Sequence, residues 1–163
     1  MTIVVMGVAG SGKTTVGREI ATALGGQFRD GDEFHSPANI AKMSGGVGLT
    51  DDDRWPWLER LRRDAIDAPA ERTMLVLACS CLKASHRRRL AEGRDDVTFV
   101  YLRASPELVR SRLTTRQGHF AGEALVDSQF RELEEPADAI TLDASLPTAA
   151  LVEAVVREVA GRR

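Results

Sequence analysis

The chain has 163 residues, 43% hydrophobic and 28% charged, with a net charge of −2. That length favours one domain and buries about 70% of the unfolded surface, a core that needs no disulfide or metal staple. The apolar content excludes wholesale disorder, and the lack of a basic excess predicts no nucleic-acid partner and no anionic-membrane partner.

Ile3-Val4-Val5-Met6 is a compact β-branched run ended at Gly7, with no basic leader before it, so no signal peptide is expected. Thr14 to Leu24 then places Val16, Ile20, Ala23 and Leu24 on one helical stripe, closed by Gly25-Gly26. Phe28 opens a weaker strand that runs into Asp30-Gly31-Asp32. Ser44 to Asp53 combines three glycines with three consecutive acids and reads as a loop, after which Arg54 starts a helix bearing Trp57, Leu58 and Leu61. Ala68 to Thr73 is a short connection.

Met74 to Cys79 is a continuous apolar run, as a strand buried on both faces should be. On such a strand Cys79 and Cys81 would share a face, too poorly placed for a strain-free disulfide, which points to a reduced, cytoplasmic setting. Val97 to Leu102 is another strand, and Ser105-Pro106 reads as a helix cap with proline in the first turn. Arg116 to Gly122 carries two glycines between helical stretches and reads as a mobile flap. Ala139 to Leu142 is a fifth strand. A last helix follows Pro147, with Leu151, Val152, Val155, Val156 and Val159 at helical spacing. The alternation predicts an α/β fold with parallel strands and right-handed crossovers, and no run approaches a membrane span.

Gly7-Val8-Ala9-Gly10-Ser11-Gly12-Lys13-Thr14 matches G-x-x-x-x-G-K-[ST] in full, directly after a strand and opening a helix. Glycines let backbone N–H groups wrap a phosphate, and the helix N-terminus favours anions. Lys13 supplies charge to the β- and γ-phosphates, and the Thr14 hydroxyl can ligate Mg²⁺. The expected nucleotide contacts are Gly7, Ala9, Gly10, Ser11, Gly12, Lys13, Thr14 and Thr15.

Two classes of phosphate-loop protein remain: a small-molecule phosphotransferase, and a nucleotide-dependent switch or motor. The buried run ending at Cys79 leads into Ser80, not into the acid a switch or motor usually carries there, and no N-K-x-D pattern occurs. Asp30 and Asp32 end the second strand, where ligands bind such sheets. One acid can face a Mg²⁺-bound water and the other a substrate hydroxyl.

These residues carry a resemblance. The blocks MGVAGSGKTTVG at 6–17, DGDEFHSPANIAKMSGGVGLTDDDRWPWL at 30–58, ACSCLKASHRRRL at 78–90, and RQGHF with SQFRELEEP at 116–120 and 128–136 resemble the bacterial gluconokinases. Those are phosphate-loop small-molecule kinases related to shikimate and adenylate kinases. The first block is generic; the second and fourth are specific. Ser36, Gly48, Cys81 and His86 depart from residues common in the family without removing a charge the chemistry needs.

The resemblance implies a three-layer phosphate-loop kinase domain over residues 1–163, with a five-stranded parallel sheet of order 2-3-1-4-5. It also implies a substrate-binding region at about 32–66, a lid at about 116–124 and a homodimer. The implied reaction is ATP- and Mg²⁺-dependent phosphorylation of D-gluconate at its C6 hydroxyl; a kinase of another small sugar acid or sugar, and a switch without a small acceptor, stay open.

Asp32 is the candidate to orient or deprotonate that hydroxyl, and Asp30 to hold a water of the Mg²⁺ shell. Arg54 can aim its fork at the substrate carboxylate, or pair with its neighbouring acids. Lys83 and Arg87 add charge to the substrate side, or begin a basic face continued by Arg88 and Arg89. His35 and His119 can contact gluconate hydroxyls, or pack their loops. Arg116 is expected to close over the phosphates and Arg112, four residues earlier, to stack near the adenine.

Overall fold

The computed structural model describes residues 1–68, 74–114 and 119–161. Five parallel strands form its centre: β1 Thr2–Met6, β2 Gln27–Asp30, β3 Leu75–Ala78, β4 Val97–Arg103 and β5 Ile140–Asp143. Their order is β2-β3-β1-β4-β5, as the resemblance implied. Val5 pairs with Ala78 on one side and Val100 on the other, and Asp30 also pairs with Ala78.

The helices are α1 Lys13–Leu24, α2 Pro37–Ser44, α3 Asp51–Leu61, α4 Ala84–Ala91, α5 Pro106–Thr114, α6 His119–Glu132 and α7 Thr148–Gly161. A 3₁₀ turn spans Gly31–Phe34, and α3 runs on into a π-helical stretch at Arg62–Asp67. Among the described residues no helix is long and apolar enough to cross a membrane.

Every residue of β1 is buried, and its pleat divides the core into two layers. Ile3 and Val5 pack with Val16 and Ile20 of α1 and with Leu151, Val155 and Val159 of α7. Val4 and Met6 point the other way, to Trp57, Leu58 and Leu61 of α3 and Leu90 of α4. The parallel arrangement delivers the turns after all five strands to one edge, and the two layers hold α1 and α3 across it from each other.

Two sequence expectations need correction. The three acids lie in the first turn of α3, not in a loop, because Thr50 caps that helix in a reciprocal box with Asp53. Asp53 N–H donates to Thr50 Oγ1 at 3.2 Å, Thr50 N–H donates to Asp53 Oδ2 at 2.9 Å, and acids there complement the helix field. The cysteines are not strand residues either, since β3 ends at Ala78. Cys81 turns back at φ 44°, and its thiol donates to Cys79 Sγ at 3.0 Å. The connection expected at 68–73 falls largely outside the described residues.

The turn after β2 sits close against β3. A Cβ built on Gly31 would lie 2.6 Å from the Ala78 carbonyl oxygen, a backbone atom with nowhere to go. Gly31→Ala is therefore expected to lower the unfolding free energy by about 1–3 kcal/mol, read from urea midpoints. Gly45→Ala meets only ordinary contacts at 3.5 Å and should stay within about 0.5 kcal/mol of the parent.

Candidate functional site

Helix α1 begins without a side-chain cap, because Gly12 at its N-cap sits at φ 103° and has nothing to donate or accept with. The uncapped N–H groups face a cleft of about 510 Å³ at the carboxyl edge of the sheet. Ser11 Oγ is buried there with no hydrogen-bond partner. Lys13 lines the same cleft and donates from Nζ to the Val8 carbonyl at 2.9 Å. Burial lowers the Lys13 pKa, while the negative charge of Asp32 works against that fall.

The acid pair meets the loop from the next strand. Thr14 Oγ1 donates to Asp30 Oδ2 at 2.8 Å, and Asp32 N–H donates to Asp30 Oδ1 at 3.1 Å. Asp32 is thereby turned into the cleft. Protein walls push its carboxyl above the usual carboxylate range, Lys13 pulls it back, and Asp30 adds to the push. The Asp32 side chain is 79% exposed, so solvent screens these effects. Among the described residues no group of three or more His, Cys, Asp or Glu side chains is placed to hold a metal ion. Thr14 and Asp30 alone fit a Mg²⁺ ion only if phosphate oxygens and water complete its shell, which is how that ion usually binds.

The remaining sequence-predicted residues divide by place. His35 and Arg54 line the cleft beside Asp32, and Arg112 lines its other end with Ala144, Leu146 and Thr148. Arg112 donates to the carbonyls of Ser11 at 3.0 Å and Ala144 at 2.7 Å, fastening the phosphate loop to the turn after β5. Lys83 and Arg87 are not among the lining residues. Lys83 Nζ is held by both oxygens of Asp51, at 2.9 and 2.8 Å. Arg87 is buried and donates to the Cys81 and Leu82 carbonyls, each at 3.1 Å, so its charge secures the turn after β3. Arg116 lies outside the described residues, as do the side chain of His119 and much of the expected flap.

Arg54 is buried, and its main partner is one the sequence did not suggest. Its Nη1 lies 2.5 Å from Glu132 Oε2 on α6 and 3.7 Å from Asp51. Nη1 and Oε2 are both buried, and neither forms a hydrogen bond of good geometry. One turn earlier on α6, Gln129 Oε1 accepts from the N–H of Ala9 at 2.6 Å. Both residues fall in the 128–136 block, and spacing of three on a helix would have put them on one face. Which neighbours that face meets is decided by the fold.

Trp57 belongs to the core and also lines the cleft. Its indole Nε1 donates to the Gly31 carbonyl at 2.8 Å, and its ring stacks on His35 at 4.2 Å and 17°. Burial, then the Arg54 charge, push the His35 pKa down to about 4. Burial likewise raises the Cys79 thiol well above its usual value, so it stays protonated behind the cleft.

A sequence-family profile described as "AAA domain" matches residues 2–139. The chain is 38% identical over 157 residues to the "Thermoresistant gluconokinase" of Escherichia coli (strain K12), covering 94% of this chain and 90% of that protein. It is 43% identical over 136 residues to the "Gluconokinase" of Gluconobacter oxydans (strain 621H), covering 83% and 76%. The chain belongs to the gluconokinase family. A crystal structure of a gluconokinase from Sinorhizobium meliloti 1021 superposes with a TM-score of 0.86 at 41% identity, covering 98% of this chain and 91% of that one. In this gluconokinase-family chain, then, phosphate loop, acid pair and buried arginine meet at one cleft.

The neutral His35 has a consequence for stability. Its folded pKa of about 4 lies below the ordinary 6.5, so the unfolded chain binds the extra proton first. The contribution is complete above pH 6.5 and is lost as pH falls toward 4. His35→Gln should therefore recover about 2–3 kcal/mol relative to the parent between pH 7 and pH 4.5, measured by urea unfolding at both values. An unchanged difference between the two proteins would show that His35 already titrates normally in the folded chain.

Proposed function

We propose that the protein transfers the γ-phosphoryl group of ATP to the C6 hydroxyl of D-gluconate, giving 6-phospho-D-gluconate and ADP. The observation that carries this reading is the meeting of Lys13, Asp32 and a buried Arg54 in one cleft of a gluconokinase-family chain. Phosphoryl transfer asks mainly for positioning and charge neutralisation, and these three groups divide that work.

The uncapped start of α1 and the loop N–H groups cradle the phosphates, and Lys13 supplies positive charge to them. Asp32 accepts a hydrogen bond from the acceptor hydroxyl and takes its proton late in transfer, which a carboxylate open to the cleft can do. Arg54 binds the acceptor carboxylate with the donors that Glu132 leaves over. The shared hydrogen bond between Thr14 and Asp30 marks where a Mg²⁺ ion would be held, Thr14 directly and Asp30 through water. Bound there, the ion would neutralise charge on the phosphate oxygens.

Arg112 is proposed to stack near the adenine, its edges already engaged with carbonyls. Arg116 is proposed to close over the phosphates, with the 116–124 lid excluding water. The substrate region spans about 32–66, and the reading places a homodimeric enzyme in the cytoplasm.

The deciding experiment measures ADP release at fixed ATP and Mg²⁺ with D-gluconate, shikimate, glucose, glucosamine, a nucleoside monophosphate and no acceptor. A large rise with gluconate alone is expected. Turnover only with another acceptor would move the specificity elsewhere within this kinase fold, and unstimulated turnover alone would favour a switch. Lys13→Ala should lower gluconate-dependent turnover by about 10³-fold. Arg54→Lys keeps a charge for Glu132 but loses the fork, so it should raise the KM for gluconate about tenfold and leave that for ATP nearly unchanged.

A further inference from the structure

We propose that Asn39 is a positioning residue that fixes the tautomer of His35, leaving one N–H, on Nε2, which reads an acceptor hydroxyl together with Asp32. The inference rests on the reading above that the acceptor lies beside Asp32.

Asn39 is buried on the first turn of α2, where Ser36 Oγ caps its backbone N–H at 3.2 Å. Its side-chain Nδ2 donates to the Asp53 carbonyl at 2.9 Å. A backbone carbonyl can only accept, so the amide orientation is set: the NH₂ end is the one facing Asp53. The same Nδ2 lies 3.4 Å from His35 Nδ1. An amide NH₂ has no lone pair to offer, so Nδ1 must present its own. The ring is neutral at pH 7, given a pKa of about 4, and its single proton is left on Nε2.

Nε2 is aimed at the acceptor side of the cleft. It lies 3.8 Å from Asp32 Oδ1, beyond direct hydrogen-bonding range. A hydroxyl oxygen about 2.8 Å from both atoms would accept from Nε2–H and donate to the carboxylate. The two groups thus form a donor–acceptor pair of the width of one hydroxyl. The stack on Trp57, whose own N–H is tied to Gly31, holds the imidazole plane in that direction. The other tautomer would present two acceptors to the hydroxyl, which has one proton to give.

The test uses the full chain. Side-chain ¹⁵N NMR at pH 7, with the His35 signals assigned by their loss in His35→Gln, is expected to show protonated Nε2 and unprotonated Nδ1. Asn39→Asp replaces the donor by an acceptor and should move the proton to Nδ1 or leave the ring doubly protonated. Its kcat/KM for gluconate should fall about 10- to 100-fold, with the KM for ATP within about twofold of the parent. His35→Gln, whose amide can donate from the Nε2 position, should stay within about fivefold of the parent, whereas His35→Phe, which keeps the stack alone, should lose about 10- to 100-fold.

An Nδ1–H tautomer in the parent overturns the proposal, as does an Asn39→Asp protein with unchanged gluconate kinetics. Equal losses in His35→Gln and His35→Phe also overturn it. If Asn39→Asp does not fold, the parent tautomer and the two His35 variants decide. If gluconate is not turned over by the parent, the gluconate reading fails by itself, and the same comparison with the acceptor that is turned over decides the proposal.

Discussion

The hydrogen bond from the Trp57 indole to the Gly31 carbonyl holds the acid pair where a reaction can use it. Gly31 is pressed so closely against Ala78 that only hydrogen fits in place of a side chain, and the indole closes the other side. With the middle residue clamped, its two neighbours diverge. Asp30 turns to Thr14 at the start of α1, and Asp32 turns into the cleft. Two carboxylates separated by one residue thus acquire different surroundings.

Charge around Arg54 is balanced across elements distant in the chain. Asp51 at the start of α3 holds Lys83 and His86 at the start of α4, and lies 3.7 Å from Arg54. The hydrogen bond from Lys83 keeps the Asp51 carboxyl below its usual range, burial works against it, and the weaker effect of the His86 hydrogen bond adds to the lowering. Glu132 reaches in from α6 to the same arginine. A buried cation with no counter-charge would cost several kcal/mol, and a fully satisfied one would have no donor for a ligand. Arg54 lies between these limits, paired by charge but not by hydrogen-bond geometry.

Helix α6 joins the two halves of the cleft. Gln129 fastens the N–H of Ala9 in the phosphate loop, and Glu132 meets Arg54 one turn later. Just past the helix, Glu134 accepts at 2.7 Å from the N–H of Ala84 at the start of α4, fixing the end of α6 against α4. A displacement of α6 would therefore be felt both at the phosphate loop and at Arg54, through a rigid element instead of a chain of loops.

Sequence by itself determined the parallel α/β architecture, the phosphate loop, the acid pair and the arginine, because each is written in local pattern. Continuous apolar runs mark strands buried on both faces, and glycines with a lysine mark a phosphate cradle wherever they follow a strand. It misplaced the start of α3, since three acids read as loop until the Thr50–Asp53 box is seen to cap them. It left Lys83 and Arg87 open between the substrate side and a basic face, because charge is visible in a sequence and its partner is not. Tertiary structure alone decided that Lys83 is spent on Asp51, that Arg87 binds carbonyls, that Gln129 reaches the phosphate loop and Glu132 reaches Arg54, and that Asn39 faces His35. Lys83 with Asp51, Gln129 with Ala9 and Glu132 with Arg54 are contacts between separate segments. Their distances follow from how the layers pack over the sheet, and no local pattern encodes them.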